Sequence, residues 1–202
     1  PLSHINICIS AIQMKNRCLL THKDRCICSM PLFHIQALIG SVLSPLLAGG
    51  SIVSTPGFFA PLFFEWLKEF SPTWYSVGPT AHKAILERSH VNRQIIEECP
   101  LRFIRTGGAT LCPSDIKEIE RVFKVPVLVV YGSTEAIHIS CSPLPPGERK
   151  IGSVGTGVGP EVSVIDETGN LLPPGKTGEI VVKGANVTGG YENNPEANRN
   201  AF

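Results

Sequence analysis

Apolar residues follow two patterns along the chain, and the patterns alternate. Short apolar runs without polar alternation are typical of strands that are buried on both faces of a parallel sheet. Between these runs, apolar residues recur every three to four positions with charges in the gaps, which indicates amphipathic helices. The predicted strands are 25–30, 51–55, 73–77, 101–105 and 125–130, and the predicted helices are 35–47, 61–70, 80–89 and 114–123. This alternation predicts an α/β fold with a mostly parallel layered sheet and flanking helices.

The two ends of the chain contain further predicted elements. An opening helix is marked by Ile5, Cys8, Ile9 and Ile12. Beyond residue 150 the pattern changes to that of antiparallel hairpins. The segments 161–166 and 179–183 are the predicted hairpin strands, and a turn at 167–169 follows the first of them. We therefore divide the chain into an α/β subdomain, residues 1–150, and a small antiparallel β subdomain, residues 151–202.

The most informative segment directly follows the strand 125–130. Ligands bind at the carboxyl ends of the strands in such sheets, and this end carries an aromatic ring, a glycine, two hydroxyls and a carboxylate. These groups can stack on a base, admit a ligand close to the backbone, donate to phosphate and hold Mg²⁺. The residues are Tyr131, Gly132, Ser133, Thr134 and Glu135. The alternative is a polar loop whose Thr-Glu pair starts a helix.

A second strand end carries matching residues. The strand 101–105 leads into Gly107 and Gly108, and the helical pattern 114–123 connects it to the strand 125–130. A right-handed β-α-β crossover would put both strands in one sheet, so that both glycine-containing ends emerge at the same edge and flank one ligand. A planar base can lie against bare glycine backbone there. The alternative is a turn that only requires positive φ.

Charge and composition argue against several classes of function. The 18 Lys and Arg residues balance 17 Asp and Glu residues without a basic cluster, which argues against a nucleic-acid partner. Residues 26–64 contain no Asp, Glu, Lys or Arg, but proline and glycine interrupt them repeatedly, so we predict no membrane span. The seven cysteines lack the spacing of a zinc site. We interpret the Asn-Val-Thr sequence at Asn186 as a chance match to a glycosylation acceptor.

Four segments occur in an order and spacing that resemble one enzyme superfamily. They are 30–34 (Met-Pro-Leu-Phe-His), 106–111 (Thr-Gly-Gly-Ala-Thr-Leu), 131–136 (Tyr-Gly-Ser-Thr-Glu-Ala) and 178–184 (Gly-Glu-Ile-Val-Val-Lys-Gly). Over nearly its whole length the chain is similar to the adenylate-forming acyl-CoA synthetases, a superfamily that includes luciferases and peptide-synthetase adenylation domains. Four motifs in register are specific, whereas any one of them alone would be weak.

Three further segments most resemble the oxalate–CoA ligase branch, known also as peroxisomal coenzyme A synthetases. They are 73–80, 135–138 and 143–148. The chain departs from that branch at Gly108, where the branch tends to have a small hydroxyl residue. It departs from the wider family at Gly78, where an aliphatic residue is usual. Both departures bear on which acid is the substrate.

The resemblance implies an AMP-forming acid–thiol ligase that uses ATP, Mg²⁺ and coenzyme A. Such an enzyme joins a carboxylic acid to AMP with release of pyrophosphate, and then transfers the acyl group to coenzyme A. A short acid such as oxalate is the favoured substrate. The implied nucleotide-binding residues are Gly107, Gly108, Ala109, Tyr131, Gly132, Ser133 and Thr134.

The same resemblance implies roles for individual side chains around the reacting groups. Thr134 would donate to the α-phosphate and Glu135 would hold Mg²⁺. His34 would lie beside the acyl carboxylate or gate the acyl and thiol channels. The role of His138 is inferred from its position and not from the resemblance: it lies three residues after Glu135, near enough to the same site to contact a doubly charged acid such as oxalate. The alternative for it is an exposed loop histidine.

The resemblance also implies that the chain is part of the N-terminal domain of a longer protein. In the family a phosphate loop precedes such a segment, and a C-terminal lid domain with a catalytic lysine follows it. We therefore expect the chain by itself to be inactive and the lid domain of the same full-length protein to be its partner. Two other functions stay open: an adenylation domain that loads a carrier protein, and a non-catalytic binding protein. The expected compartment is the cytoplasm or the peroxisome.

Overall fold

A computed structural model describes residues 1–202 and shows a mixed α/β fold built on one seven-stranded sheet with the strand order β2-β1-β3-β4-β5-β6-β7. Its strands are β1 Arg25–Cys28, β2 Ser51–Ser54, β3 Trp74–Val77, β4 Phe103–Thr106, β5 Val127–Tyr131, β6 Ser140–Cys141 and β7 Thr156–Gly157. The strands β1 to β5 are parallel, and β6 and β7 add antiparallel pairs at one edge. The predicted fold class is thereby confirmed.

A separate two-stranded antiparallel sheet follows the large one. It consists of β8 Glu161–Ile165 and β9 Glu179–Lys183, in the predicted hairpin arrangement. The strand β7 lies beyond residue 150 but pairs with β6, so the large sheet takes one short strand from the predicted second subdomain. The division at residue 150 stays a prediction.

Helices cover the large sheet on both faces. They are α1 His4–Arg17, α2 Ile35–Ala37, a π-helical segment Leu38–Leu43, α3 Ser44–Leu47, α4 Ala60–Phe70, α5 Pro79–Ser89, a 3₁₀ turn His90–Asn92, α6 Arg93–Glu98, α7 Pro113–Phe123 and α8 Pro195–Ala201. The predicted helix 35–47 is thus three consecutive helical segments with a π-helical centre. None of the helices combines the length and the apolar character that crossing a membrane requires.

The helix α1 forms where the spacing of its apolar residues predicts, but three of the four residues that indicated it are exposed. Ser3 caps its N-terminus in a reciprocal hydrogen-bonded box with Asn6. Its buried residues are Asn6, Ser10, Ala11 and Met14, whereas Ile5, Cys8 and Ile12 are exposed. Polar residues can occupy the buried side because each finds a hydrogen-bond partner there: the Asn6 amide donates to the carbonyls of Ala185 and Val187.

Apolar clusters fill both faces of the sheet, which explains the strands without alternation. In β3, Tyr75 belongs to the cluster under α4 to α7, and its neighbour Trp74 belongs to the opposite cluster with Phe103, Leu128 and Met14. Fully burying a side chain of this size contributes about 1.5–3 kcal/mol. Successive residues of a central strand therefore all gain from being apolar.

The sheet register brings the predicted ligand-binding ends together. The parallel strands β4 and β5 are neighbours joined through α7, as predicted, and Thr106 lies opposite Val129. Val77, at the end of β3, lies opposite Thr106 on the other side. The segments that follow β3, β4 and β5 therefore leave the sheet at the same edge.

Candidate active site

A cavity of about 450 Å³ lies at this edge of the sheet. Eight of the ten predicted site residues line it: His34, Gly107, Gly108, Ala109, Gly132, Ser133, Thr134 and His138. A second cavity of about 370 Å³ adjoins it, lined by Tyr131 and the residues 152–154. Because Gly108, Ala109 and Gly132 line both cavities, the two spaces share one wall of mostly bare backbone.

Two glycines that line the larger cavity leave no room for a side chain. A Cβ atom at Gly107 would lie 2.9 Å from the Gln36 amide nitrogen and 3.0 Å from the carbonyl oxygen of Val130. At Gly132 it would lie only 1.8 Å from the carbonyl oxygen of Ile137. Both glycines are therefore required for packing within the protein. The predicted approach of a ligand to their backbone stays a prediction.

The loop between β5 and β6 is held by its own hydrogen bonds. The Ser133 hydroxyl accepts from the backbone N–H of Ala136 at 3.2 Å, and the N–H of Ile139 donates to the carbonyl of Tyr131 at 3.0 Å. Ile137 has a φ of 56°, a left-handed conformation that is uncommon outside glycine. Residues 134–136 form a turn, so the Thr-Glu pair does not start a helix.

Glu135 lies at the outer end of this loop and lines neither cavity. The hydroxyl of Tyr191 donates to its carboxylate at 2.7 Å, and this bond is the main reason why the pKa of Glu135 is lower than usual. No cluster of three or more His, Cys, Asp or Glu side chains could enclose a metal ion. Glu135 as a metal ligand stays a prediction, and it would be a single carboxylate ligand.

His34 and Thr134 are exposed side chains at the mouth of the larger cavity. His34 immediately precedes α2, and its ring lies 4.5 Å from that of Phe33. Its imidazole makes no capping hydrogen bond to the helix, so it is free to contact a ligand. Both residues therefore line the larger cavity, and their roles stay predictions.

His138 is a buried residue on the cavity wall and not an exposed loop histidine. Only 1% of it is exposed, and its Nδ1 atom lies 2.9 Å from the hydroxyl of Ser10 on α1. The other ring nitrogen, Nε2, has no hydrogen-bond partner within the protein. Burial, and next the nearby Arg105 guanidinium, lower the pKa of His138 to about 3. The imidazole is therefore neutral near pH 7, and its buried Nε2 atom is left without a hydrogen-bond partner.

Two buried residues near the larger cavity were not predicted as site residues. Arg105 in β4 is fully buried, and a charged residue inside an otherwise apolar strand was the available signal for it. Asn186 is also fully buried, and its amide donates to the carbonyl of Ala136 in the loop after β5. Its amide nitrogen is thus part of the folded interior, in agreement with a chance match to the glycosylation pattern.

We predict that the folded protein loses stability as pH falls below about 6.5. His138 and His82 are both buried, and burial lowers their pKa values to about 3 and about 4 from 6.5. The unfolded chain binds more protons than the folded one in this window, so the free energy of unfolding rises with pH. Each histidine should remove about 2 kcal/mol of stability at pH 5.

Urea unfolding between pH 5 and pH 7.5 measures this dependence. Replacing His138 and His82 together by glutamine should flatten the curve, whereas replacing the exposed His22 should leave its slope unchanged. A free energy of unfolding that stays constant over this window would contradict the neutral burial of both imidazoles.

Comparison with known protein families agrees with this geometry. The family model described as "AMP-binding enzyme" matches residues 1–192. The chain is 41% identical over 204 residues to an oxalate–CoA ligase of Saccharomyces cerevisiae and 40% identical over 206 residues to one of Arabidopsis thaliana. It is covered completely in both matches but spans only 37% and 40% of those proteins.

Solved structures show the same arrangement of elements. The ATP-bound MatB of Rhodopseudomonas palustris superposes with a TM-score of 0.92 at 28% sequence identity, covering the whole chain and 39% of that protein. A malonyl-CoA ligase with methylmalonyl-CoA and AMP bound superposes with a TM-score of 0.88 at 25% identity, covering the whole chain and 43% of that protein. The chain therefore spans about two-fifths of the proteins that it matches.

Proposed function

The chain belongs to the AMP-binding enzyme family, and from this premise we propose that the full-length protein is an ATP-dependent acid–CoA ligase whose nucleotide and acyl sites lie at the edge of the large sheet. One observation carries the proposal. The ends of β4 and β5 form a wall of glycine backbone between two adjoining cavities, of about 450 and about 370 Å³. Two such spaces suit a nucleotide and an acid that must meet at one point.

The residues around the smaller cavity fit a nucleotide. Tyr131 offers a partly exposed aromatic ring there, and Gly108 and Ala109 line the same space. The loop after β5 presents the hydroxyls of Ser133 and Thr134 in the adjoining larger cavity. An adenine ring stacks well on such an aromatic face. Hydroxyl groups at the loop end are suitable donors to phosphate oxygens. We assign the base to the Tyr131 side and the α-phosphate to Thr134.

Glu135 fits a magnesium ion that is held mainly by phosphate oxygens. Mg²⁺ usually keeps several waters and binds through one or two carboxylates together with substrate phosphates, so a single carboxylate is sufficient. The lowered pKa of Glu135 keeps this group ionised over the neutral range. When bound, the ion would neutralise charge that develops on the phosphates.

The reaction would proceed by two substitutions. A carboxylate oxygen of the acid attacks the α-phosphorus of ATP, and the bond to pyrophosphate breaks. The thiol of coenzyme A then attacks the acyl carbon, loses its proton and displaces AMP. For these steps the protein mainly supplies position and hydrogen-bond donors. We assign contact with the carboxylate or the incoming thiol to His34, which lines the larger cavity.

For the acid, we propose a short dicarboxylic acid such as oxalate. The support is twofold: oxalate–CoA ligases are among the relatives, and the larger cavity has a buried imidazole in its wall. Ser10 can donate to Nδ1 of His138, which would place the ring proton on the unpartnered Nε2 atom. A neutral N–H group of this kind can donate to the distal carboxylate of the acid.

We expect His138→Ala to reduce kcat/KM for oxalate by about ten- to a hundredfold in the full-length protein. A hydrogen bond to a charged acceptor is lost, and such bonds contribute about 1.5–3 kcal/mol. Acetate should lose much less, because it has no second carboxylate. Steady-state pyrophosphate release with each acid measures the difference, and replacement of the exposed His22 by alanine serves as the control. Equal losses on both acids would remove His138 from the substrate site.

Two other functions are tested by the same assay. Pyrophosphate release that does not lead to a coenzyme A thioester, together with a carrier domain in the full-length sequence, would indicate an adenylation domain that loads a carrier protein. Absence of acid-dependent pyrophosphate release over a panel of carboxylic acids would indicate a non-catalytic binding protein.

A further inference from the structure

Arg105 is a buried cation without a counterion. Its side chain is fully buried between β4 and the helical segment 35–47, and no carboxylate lies within the distance of an ion pair. Its guanidinium donates to the hydroxyls of Ser76 and Ser41 and to the carbonyls of Gly40 and Gln36, at distances of 2.8–3.3 Å. These neutral acceptors satisfy its hydrogen bonds but leave its charge uncompensated. An unpaired buried charge is costly, so it calls for a reason beyond packing.

The guanidinium of Arg105 lies close to the imidazole of His138, which lines the larger cavity. A Cβ atom at Gly40 would lie 2.7 Å from Nη2 of Arg105 and 2.9 Å from Nε2 of His138. The guanidinium nitrogen of Arg105 and the Nε2 atom of His138 therefore both lie within about 3 Å of the position where a Gly40 side chain would begin. Gly40 belongs to the π-helical segment, and its missing side chain permits this approach. Such π-helical turns are frequent at functional sites.

We propose that Arg105 is the specificity-determining residue for the second charge of the substrate, acting through its electrostatic field on the cavity wall at His138. This inference rests on the proposed ligase function. His138 donates the hydrogen bond, and Arg105 supplies the positive charge that the neutral imidazole lacks. In a water-poor site a charge a few ångströms away acts with much less screening than in bulk water. A dianionic acid gains more from this field than a monoanionic acid of similar size.

A purely structural role for Arg105 would also account for its hydrogen bonds and for its stacking 4.9 Å above the ring of Trp74. The two roles differ in one respect. The structural role requires the guanidinium to be present, whereas the electrostatic role requires its charge to remain uncompensated. Adding a carboxylate beside the intact guanidinium separates them.

Ser41 is the position for this carboxylate, because its hydroxyl accepts from Nη2 of Arg105 at 2.8 Å in the buried interior. Ser41→Asp would neutralise the charge without removing Arg105, and Ser41→Asn has the same shape without the charge. We expect kcat/KM for oxalate relative to acetate to fall at least tenfold in Ser41→Asp compared with Ser41→Asn, in the full-length protein. Arg105→Met and Arg105→Lys form a second pair, in which only the methionine variant should lose the preference.

A readout independent of activity is the titration of His138 by NMR of histidine-labelled protein. The pKa of His138 should be higher in Ser41→Asp than in Ser41→Asn, because the compensated guanidinium no longer opposes protonation. Urea unfolding identifies the variants that fold. Either the Ser41 pair or the Arg105 pair, if both of its members fold, is sufficient to compare the preference for oxalate over acetate. Equal substrate preferences within the folded pairs would overturn the role of Arg105 while leaving the ligase function intact. A wild-type enzyme that activates oxalate no better than acetate would overturn the proposed substrate class together with this inference.

Discussion

Glu135→Gln in the full-length protein is expected to reduce the rate of acyl-adenylate formation by about two to three orders of magnitude, with little change in stability. The amide has the shape of the carboxylate and can still accept the hydrogen bond from Tyr191 that the structure shows at 2.7 Å. What it lacks is the negative charge for a magnesium ion. The loss should therefore appear in magnesium-dependent pyrophosphate release and not in the unfolding curve.

The neighbouring surface provides two controls for this prediction. Glu192→Gln removes an exposed carboxylate next to Tyr191, and it should leave turnover near normal. Tyr191→Phe removes only the hydrogen bond to Glu135, which separates the effect of that bond from the effect of the charge. If Glu135→Gln kept near-normal turnover at ordinary magnesium concentrations, Glu135 would not be a metal ligand.

The second large effect is expected for Gly132→Ala, which should weaken AMP binding at least tenfold and destabilise the fold by about 1–3 kcal/mol. The added methyl group would lie 1.8 Å from the carbonyl oxygen of Ile137, which belongs to the backbone of the same loop. Because the loop after β5 is tied to β6 by the hydrogen bond between Ile139 and Tyr131, it cannot move as a free segment. The hydroxyls of Ser133 and Thr134 should consequently leave their positions beside the cavity.

Gly189→Ala is the matched control for this substitution. A Cβ atom at Gly189 would meet no other atom within 4 Å, so this variant should bind AMP like the wild type. Calorimetric titration of AMP and urea unfolding, both on the full-length protein, measure the two effects. Normal AMP affinity in Gly132→Ala would show that the loop adapts to the methyl group, and the assignment of the phosphate site to this loop would fail.

Local sequence patterns were sufficient for β1 to β5 and for the edge of the sheet where the cavities lie, but not for the two-residue strands β6 and β7. Strands such as β3 and β5 are apolar at successive positions because both of their faces are buried, and this leaves a signal within a few residues. The order of β4, α7 and β5 predicted adjacent parallel strands, because such crossovers are short and right-handed. That topology brings Gly107 and Gly132 to the same edge of the sheet, and both residues line the larger cavity.

The sequence did not determine which side of a helix packs or which polar groups are buried. On α1 the apolar residues Ile5 and Ile12 are exposed, while Asn6 and Ser10 are buried. Helical spacing identifies the helix, but the choice of its buried face depends on partners that lie far away along the chain. Ser10 contacts His138 across 128 positions, and Asn6 contacts Val187 across 181.

The charge environment of His138 in the wall of the larger cavity likewise arises only in the tertiary structure. His138 is neutral because the fold buries it and places Arg105 behind it, although the two residues belong to different segments. Arg105 in turn finds its acceptors in the π-helical segment, whose form no periodicity in the sequence indicated. The sequence by itself therefore determined the five parallel strands, the pairing of β4 with β5 and the chemical groups at the edge of the sheet. Only the tertiary structure decided their burial and charge environment, because desolvation and hydrogen bonding depend on which distant residues surround each group.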